Sequence, residues 1–336
     1  MGRRARRYLS VAIAAVVGLL AAATGISLLG SSGPPLGQPT NQLDSPLASV
    51  LPGATTGPDL RQTLTQLGGP RFTQGDRAQA RQYITAALQT WGWEVQAQPV
   101  TGDRQTGVNL IATRPSQAIA GSIVLGAHYD TVAASPGADD NGTGVVALLE
   151  AARRLGPSTA PVPLTLVFFD LEEAGLWGSR AFVAAHPDVS EAVILEMLGF
   201  RCREPGCQRY PAGLPVQPAQ TTGEFLAAIG DRAHRDLVDS FAAAAPLPVV
   251  TLAVPTLGPL TPDLLRSDHV PFWKAGIGAV MLTDTANFRN PNYHRPSDRV
   301  DTLDLAFFQA AAQLVIERVE QRRWALVPTR EAPRSP

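Results

Sequence analysis

Short apolar runs alternate with amphipathic stretches along most of the chain. The runs lack strict alternation of apolar and polar residues, which is typical of strands buried on both faces of a sheet. They occupy residues 108–112, 123–126, 164–169, 193–195 and 279–282. Helical spacing of apolar residues predicts helices within residues 60–93, 144–155, 175–185 and 303–323. This order predicts the α/β class, with a mixed, mostly parallel central sheet sandwiched by helices in a single domain.

The N-terminal segment has the layout of an export signal. Four arginines within residues 3–7 precede an uncharged apolar stretch, residues 8–30. Such a stretch is long enough to span a bilayer, and it equally fits a long signal peptide. We therefore expect residues 1–30 to be a signal peptide or an N-terminal membrane anchor. Either one exports the remainder to the periplasm or the cell exterior, and an anchor would attach it to the membrane.

The segments that flank the predicted domain differ from it in composition. Residues 31–58 are rich in Pro, Gly, Ser and Thr, which predicts a linker. Residues 327–336 have a similar composition and are expected to form a disordered tail. The folded domain is therefore expected to extend over residues 59–326.

Composition and charge exclude two broad classes of protein. Hydrophobic residues make up 45% of the chain, near the average for soluble domains, so a disordered chain is excluded. Apart from the four N-terminal arginines, 24 basic and 29 acidic residues give a net charge of −5. Nucleic-acid binding needs clustered cations to neutralise phosphates, and no such stripe exists here, so we expect no nucleic-acid partner.

Polar side chains that can bind a metal follow the buried strands. In an open α/β sheet, ligands and catalytic groups collect beyond the carboxyl ends of the strands. The side chains at these positions are His128, Asp139 and Asp140, Glu172 and Glu173, Glu196, and His294. We therefore expect them to share one edge of the sheet.

Each of these residues also has an ordinary structural interpretation. A single histidine at a strand end is more often a hydrogen-bonded core residue than a ligand. Asp139 or Asp140 could cap the following helix, and a Glu-Glu pair is common in the first turn of a helix. Glu196 is harder to explain this way, because a carboxylate that continues an apolar strand is costly unless it is paired or bound to metal. One shared site explains all of them more simply than separate coincidences.

The types of side chain indicate the chemistry of this site. Imidazole and carboxylate groups without a thiolate suit zinc or another first-row divalent ion in an open catalytic site. Asp130 follows His128 closely enough to accept a hydrogen bond from its second ring nitrogen. Of the two adjacent glutamates, one can bind metal while the other takes a proton from water. This combination predicts metal-assisted hydrolysis.

Four sequence blocks carry a family resemblance. Residues 127–131 (AHYDT), 137–144 (GADDNGTG), 172–179 (EEAGLWGS) and 293–298 (YHRPSD) resemble the signature blocks of the co-catalytic zinc aminopeptidases. That family includes secreted bacterial leucine aminopeptidases and, more distantly, glutamate carboxypeptidase and glutaminyl cyclases. The resemblance covers about residues 60–325 in the same order. It implies the mixed sheet of the zinc aminopeptidases, also described as phosphorylase-like, and makes residues 59–326 a zinc peptidase catalytic domain.

The resemblance also implies a ligand set for two zinc ions. Asp140 matches the carboxylate that bridges the two ions. Glu173 and His294 would complete one site, and His128 and Glu196 would complete the other. The family usually has aspartate at the position of Glu196, and the extra methylene lengthens this arm by roughly 1.5 Å. The number of ions, two or one, therefore stays open.

Further roles follow from the same resemblance. Glu172 matches the general base that deprotonates the metal-activated water. Tyr293 matches the group that hydrogen-bonds the tetrahedral oxyanion. Asp268 matches an acidic position near the site, whereas the adjacent His269 is expected to be structural.

The two cysteines predict a disulfide. Cys202 and Cys207 lie on either side of a Pro-Gly turn, and nearby cysteines in an exported protein most simply pair with each other. A zinc ribbon would need further cysteine ligands, which the chain lacks.

Taken together, these features predict an exported zinc aminopeptidase that acts on peptides with a free N-terminus. A glutaminyl cyclase-like acyltransferase is the first alternative, although the short spacing after Glu173 and the tyrosine before His294 disfavour it. A non-catalytic ectodomain is the second, although every expected catalytic position is occupied. A carboxypeptidase or other hydrolase is a further alternative, and the sequence gives no side-chain preference.

Overall fold

A computed structural model describes residues 59–67, 69–212, 214, 219–243, 247–255 and 262–326. The predicted signal or anchor (residues 1–30), the linker (31–58) and the tail (327–336) lie outside these residues. Within the described part of the chain, no helix has the length and apolar character needed to cross a membrane.

Eight strands form one mixed sheet in the order β1-β2-β4-β3-β5-β8-β6-β7. The strands are β1 (Glu94–Thr101), β2 (Thr106–Thr113), β3 (Ile123–His128), β4 (Leu164–Phe169), β5 (Glu191–Glu196), β6 (Leu226–Asp231), β7 (Val249–Val254) and β8 (Gly278–Thr283). The four central strands β4, β3, β5 and β8 are parallel. The predicted α/β class with a mixed, mostly parallel sheet in a single domain is therefore confirmed.

Helices cover both faces of the sheet. They are α1 (Leu60–Leu67), α2 (Gln74–Thr90), α3 (Gly144–Leu155), α4 (Trp177–Ala185), α5 (Arg235–Asp239), α6 (His269–Lys274) and α7 (Leu305–Ala325). The central strands are buried along their whole length because their side chains alternate between two apolar cores. One core includes α3 and α7, and the other contains Phe182 of α4 and Phe272 of α6.

The structure corrects the expected elements in two places. The helical pattern over residues 60–93 is divided into α1 and α2, and α2 begins at a capping box between Thr73 and Asp76. Three strands carried no clear apolar signal. Strand β1 is largely exposed and β7 is half-buried, while β6 pairs antiparallel to β8.

Candidate active site

The carboxyl ends of the parallel strands carry the candidate residues, as the parallel arrangement requires. His128 is the last residue of β3, and Glu196 is the last residue of β5. Asp140 lies in the turn before α3, Glu173 follows β4, and His294 lies in the loop after β8. The fold therefore brings all five predicted metal ligands to one edge of the sheet.

A buried triad consists of His128, Asp140 and Glu196. His128 Nε2 lies 3.5 Å from Asp140 Oδ1 and 3.4 Å from Glu196 Oε1. The side chain of His128 is 1% exposed, and that of Asp140 is 3% exposed. The extra methylene of Glu196 therefore leaves its carboxylate within this triad.

An open triad consists of Asp140, Glu173 and His294. His294 Nε2 lies 3.1 Å from Asp140 Oδ2 and 3.2 Å from Glu173 Oε2. In contrast to His128, the His294 side chain is 34% exposed. Asp140 belongs to both triads, and each of its carboxylate oxygens faces a different histidine.

Unpartnered polar atoms indicate that the open triad fits a metal ion. Asp140 Oδ2, Glu173 Oε1 and His294 Nε2 are buried and have no hydrogen-bond partner. Buried polar atoms are normally hydrogen-bonded, so a group of nearby unpartnered donor atoms is typical of a cation site. In each triad one imidazole and two carboxylates supply nitrogen and oxygen donors that suit a divalent ion.

The pKa shifts in the open triad have an electrostatic origin. Burial alone would lower the pKa of His294, but the carboxylates of Asp140 and Glu173 raise it to about 10. Burial and the charge of Asp140 raise the pKa of Glu173 to about 7, although His294 opposes this shift. An excess of carboxylates over cations is the common cause, and a bound cation would relieve it.

Glu172 lies beside both triads and is 7% exposed. Burial raises its pKa well above the usual range, and the nearby His128 offsets only part of that effect. The carboxylates of Glu196, Asp268 and Glu173 raise this pKa further. A raised pKa suits a group that accepts a proton during a reaction and then returns it.

Asp130 connects the buried triad to the glutamate pair. Its Oδ1 lies 3.5 Å from His128 Nδ1, the nitrogen that faces away from the triad. The same carboxylate accepts hydrogen bonds from the backbone N–H groups of Glu172 (3.1 Å) and Glu173 (3.2 Å). Asp130 is therefore placed to orient the His128 ring and to fix both glutamates.

Tyr293 stacks on His294 with ring centroids 3.8 Å apart. Arg266 donates a hydrogen bond from Nη2 to the Tyr293 hydroxyl oxygen at 2.9 Å. Burial and the nearby Asp140 charge raise the pKa of Tyr293, so its hydroxyl stays protonated at neutral pH. Because Arg266 donates to the Tyr293 hydroxyl oxygen, the hydroxyl proton is not used in this contact and can be donated to another acceptor.

Asp268 is fully buried, and neither of its carboxylate oxygens has a hydrogen-bond partner. Burial raises its pKa to about 7, and the nearby His128 lowers it in part. Its neighbour His269 is buried and neutral, since burial lowers its pKa to about 4, and its Nε2 lies 2.9 Å from the Leu264 carbonyl oxygen.

Sequence reasoning missed two groups that support the ligands. Ser267 donates a hydrogen bond to Glu196 Oε2 at 2.6 Å. Asp298 is fully buried, and its two oxygens accept the backbone N–H groups of Asp139 (2.9 Å) and Asp140 (3.1 Å). Both residues sit in sequence blocks that also contain predicted site residues, and that proximity was the available signal.

A cavity of about 670 Å³ opens from the two triads. Its polar end contains Glu172, Glu173, Tyr293 and His294 together with Asp140 and Glu196. The rest of its wall is largely apolar and includes Phe225, Ile229, Leu252, Leu264 and Met281. The cavity therefore joins a charged end, where the two triads lie, to an apolar compartment.

The predicted disulfide between Cys202 and Cys207 is present. It closes a short loop that leads directly into Arg209 and Tyr210, two residues of the cavity wall. Gln208, which joins Cys207 to Arg209, is held by hydrogen bonds with Thr285 and Arg289. The disulfide thus stiffens the segment that precedes one wall of the cavity.

Comparison with known sequences finds a peptidase family and several related proteins. The profile of peptidase family M28 matches residues 109–319. The uncharacterized protein YfbL of Escherichia coli K12 is 31% identical over 274 residues, which are 75% of this chain and 82% of that protein. Aminopeptidase YwaD of Bacillus subtilis is 28% identical over 64% of this chain, which spans 44% of that relative's length.

Solved structures resemble this fold as well. The LapA aminopeptidase of Legionella pneumophila matches with a TM-score of 0.62 and 21% identity over 78% of this chain and 71% of that chain. BSAP, a zinc aminopeptidase from Bacillus subtilis, matches with a TM-score of 0.51 and 25% identity over 66% of this chain and 51% of that chain.

Proposed function

Because this chain belongs to peptidase family M28, we propose that it is an exported, zinc-dependent aminopeptidase that removes N-terminal residues from peptides. The observation that carries the proposal is the placement of Glu172 beside two ligand triads that share Asp140. The proposal includes two zinc ions, one in each triad. The similarity to a zinc aminopeptidase from Bacillus subtilis supports the choice of metal.

In this proposal the chain's own residues perform distinct tasks. Zinc, when bound, supplies a Lewis acid that polarises the scissile carbonyl and acidifies the attacking water. Glu172 takes the proton from that water and delivers it to the leaving amine. Its pKa, raised by burial, supports this role, because a more basic carboxylate accepts a proton from water more readily.

Tyr293 is proposed to stabilise the developing oxyanion. Its hydroxyl accepts a hydrogen bond from Arg266, so its own proton is available to the substrate oxygen. The raised pKa of Tyr293 keeps that proton in place at neutral pH. Arg266 and the stack on His294 both restrict the position of the phenol ring.

The cavity supports a substrate preference. The proposed zinc ions neutralise the carboxylates at its polar end, so the preference for a free N-terminus is supported by the similarity to named aminopeptidases. Its apolar compartment supports an apolar side chain on the first residue of the peptide. Export of the protein through residues 1–30 remains part of the proposal.

The test is mass spectrometry of peptides incubated with the zinc-loaded full-length protein. The set contains a peptide that begins with leucine, the same peptide with an acetylated N-terminus, and one that begins with glutamine. Stepwise loss of residues from the free peptides but not from the acetylated one is the expected result. Glu172→Gln, purified in the same way, controls for a contaminating peptidase.

Two outcomes would overturn the proposal. Loss of ammonia from the glutamine peptide alone would assign a glutaminyl cyclase instead. No change in any peptide, although zinc is bound, would assign a non-catalytic protein.

A further inference from the structure

Arg71 is a buried cation outside the region that the family profile matches. It lies between α1 and α2 and is 2% exposed. Its guanidinium donates hydrogen bonds to the backbone carbonyl oxygens of Tyr129 (Nε, 2.6 Å), Gly137 (Nη2, 2.7 Å), Pro136 (Nη1, 3.2 Å) and Gly69 (Nη1, 3.1 Å). Burial lowers its pKa to about 10, so it remains charged at neutral pH.

The carbonyl groups that Arg71 binds belong to two segments that carry metal-binding side chains. Tyr129 directly follows His128, and Gly137 precedes Asp140 by three residues. His128 and Asp140 both belong to the buried triad, and His128 Nε2 lies 3.5 Å from Asp140 Oδ1. The backbone N–H of Arg71 also donates to Thr131 Oγ1 at 2.9 Å, which adds a further tie to the first segment.

Each segment also has ties of its own, since the Tyr129 N–H donates to the Phe169 carbonyl oxygen at 3.0 Å and Asp298 accepts the N–H groups of Asp139 and Asp140. Arg71 differs from these groups because its guanidinium binds both segments at once. Between the end of β3 and Ala138 the chain has no helix or strand, so no regular backbone ladder defines its path. Gly137 adopts a φ of +68°, and a Cβ there would lie 2.9 Å from Arg71 Nη2 and 2.5 Å from the Asp140 carbonyl oxygen. The close approach of the guanidinium thus depends on this glycine.

We infer that Arg71 is a positioning residue of the metal centre. Its guanidinium fork fixes the distance between the segments of His128 and Asp140 and so preorganises the buried triad. This inference rests on the proposed function, because it requires that the triads bind metal.

The charge of Arg71 and its geometry make opposite predictions. A positive charge near Asp130, Asp140 and Asp298 disfavours a bound cation, so removal of the charge alone would tighten metal binding. Removal of the fork loosens the triad and weakens metal binding. Arg71→Lys keeps the charge and removes the fork, whereas Arg71→Met removes both.

The test measures zinc affinity of the full chain by competition with a chromophoric chelator, and the absorption bands of the cobalt-substituted protein. Both variants are expected to raise the Kd for zinc about 10- to 100-fold, the range found for residues that orient metal ligands. Altered cobalt bands are expected as well, because the position of His128 changes.

Arg323→Lys is the matched control. Arg323 is also 2% exposed and donates to the backbone carbonyl oxygens of Val162 (2.9 Å) and Ala160 (3.5 Å). These acceptors precede β4, at the opposite edge of the sheet from the triads. This variant is expected to lower the unfolding midpoint while the Kd for zinc and the cobalt bands stay unchanged.

Each other outcome overturns the inference. Unchanged zinc affinity in Arg71→Lys would assign a purely structural role, and tighter binding in Arg71→Met would assign an effect of charge alone. If neither variant folds, Arg71→Gln takes their place, since it keeps a buried hydrogen-bond donor but has no guanidinium fork to bind both segments. A Kd equal to that of the wild type would then overturn the inference. A wild-type protein that binds no zinc would overturn the proposed function as well, which distinguishes the two failures.

Discussion

The buried triad and the open triad share Asp140 but differ in how their other ligands are held. His128 is 1% exposed, with Asp130 3.5 Å from its outer nitrogen, and Glu196 accepts a hydrogen bond from Ser267. His294 is 34% exposed, and its clearest neighbour beyond the triad is the stacked ring of Tyr293. The protein therefore supports the ligands of one triad on several sides and leaves those of the other facing the cavity.

This difference predicts different metal affinities and different access to substrate for the two triads. Ligands fixed by other protein groups lose little conformational freedom when a cation binds, so we expect the buried triad to bind its ion more tightly. The open triad lies beside Tyr293 and the apolar compartment, where a substrate has access. We therefore expect the open triad to bind its ion more weakly and to influence substrate binding more.

Replacement of Asp140, the ligand that both triads share, should abolish metal binding in both. Asp140→Ala takes one oxygen from each triad, so both ions and nearly all activity should be lost together. The loss of zinc affinity should exceed the roughly 100-fold limit for residues that only orient a ligand. Metal analysis after gel filtration checks this, and a variant that retains two ions per chain would contradict the shared role of Asp140.

Neighbouring glutamates separate chemistry from metal binding. Glu172→Gln should lower kcat by about 10²- to 10⁴-fold while both ions stay bound, because only the proton acceptor is removed. Glu173→Gln should instead lose the ion of the open triad, since Glu173 Oε2 lies 3.2 Å from His294 Nε2. Steady-state kinetics with metal analysis of both variants checks this. Near-full activity of Glu172→Gln would exclude it as the base.

A smaller change should affect the buried triad alone. Ser267→Ala removes the donor to Glu196 Oε2, and zinc affinity of that triad should fall about 10-fold. The ion of the open triad should be unaffected. Chelator competition measures both steps, with Ser240→Ala as the control, because the Ser240 hydroxyl donates to the carbonyl oxygen of Leu237 in α5. Equal weakening of both ions would contradict the separation of the two triads.

The sequence predicts the central sheet better than its edges, for a physical reason. Strands β3, β4 and β5 are buried on both faces, so their apolar runs are continuous and easily recognised. Strand β1 lies at one edge of the sheet, where five of its eight residues are polar or proline and pairing with β2 alone defines it. The extended conformation of β1 depends on its pairing with β2, which the residue pattern of β1 itself does not indicate.

The candidate site divides in the same way. Side chains that could bind metal directly, such as His128 and Glu196, are recognisable as a group, because imidazole and carboxylate residues recur at the ends of several strands and one shared site explains them all. Ser267, Asp298 and Arg71 act through hydrogen bonds to another residue or to its backbone, so their residue type gives no hint of the role. Their importance appears only when the tertiary structure places them against the ligands.

The pH dependence of zinc binding tests the open triad through the protonation of His294. In the absence of metal the pKa of His294 is about 10, so His294 is protonated at pH 7, whereas a metal ligand must be neutral. Zinc binding should therefore release about one proton from His294, and affinity should rise about tenfold for each unit of pH below that pKa. Glu173, with a pKa of about 7, adds to this release near neutrality.

Calorimetric titration with zinc at pH 7, in two buffers of different ionisation enthalpy, measures the number of protons released. Heats that do not depend on the buffer would contradict a protonated His294. Glu173→Gln should not bind the ion of the open triad, so the protons that His294 and Glu173 release on zinc binding in the wild type should be missing from its titration. Proton release from the open triad would then be set by the same carboxylates that hold its ion, which ties the exposure of His294 to a measurable property of the centre.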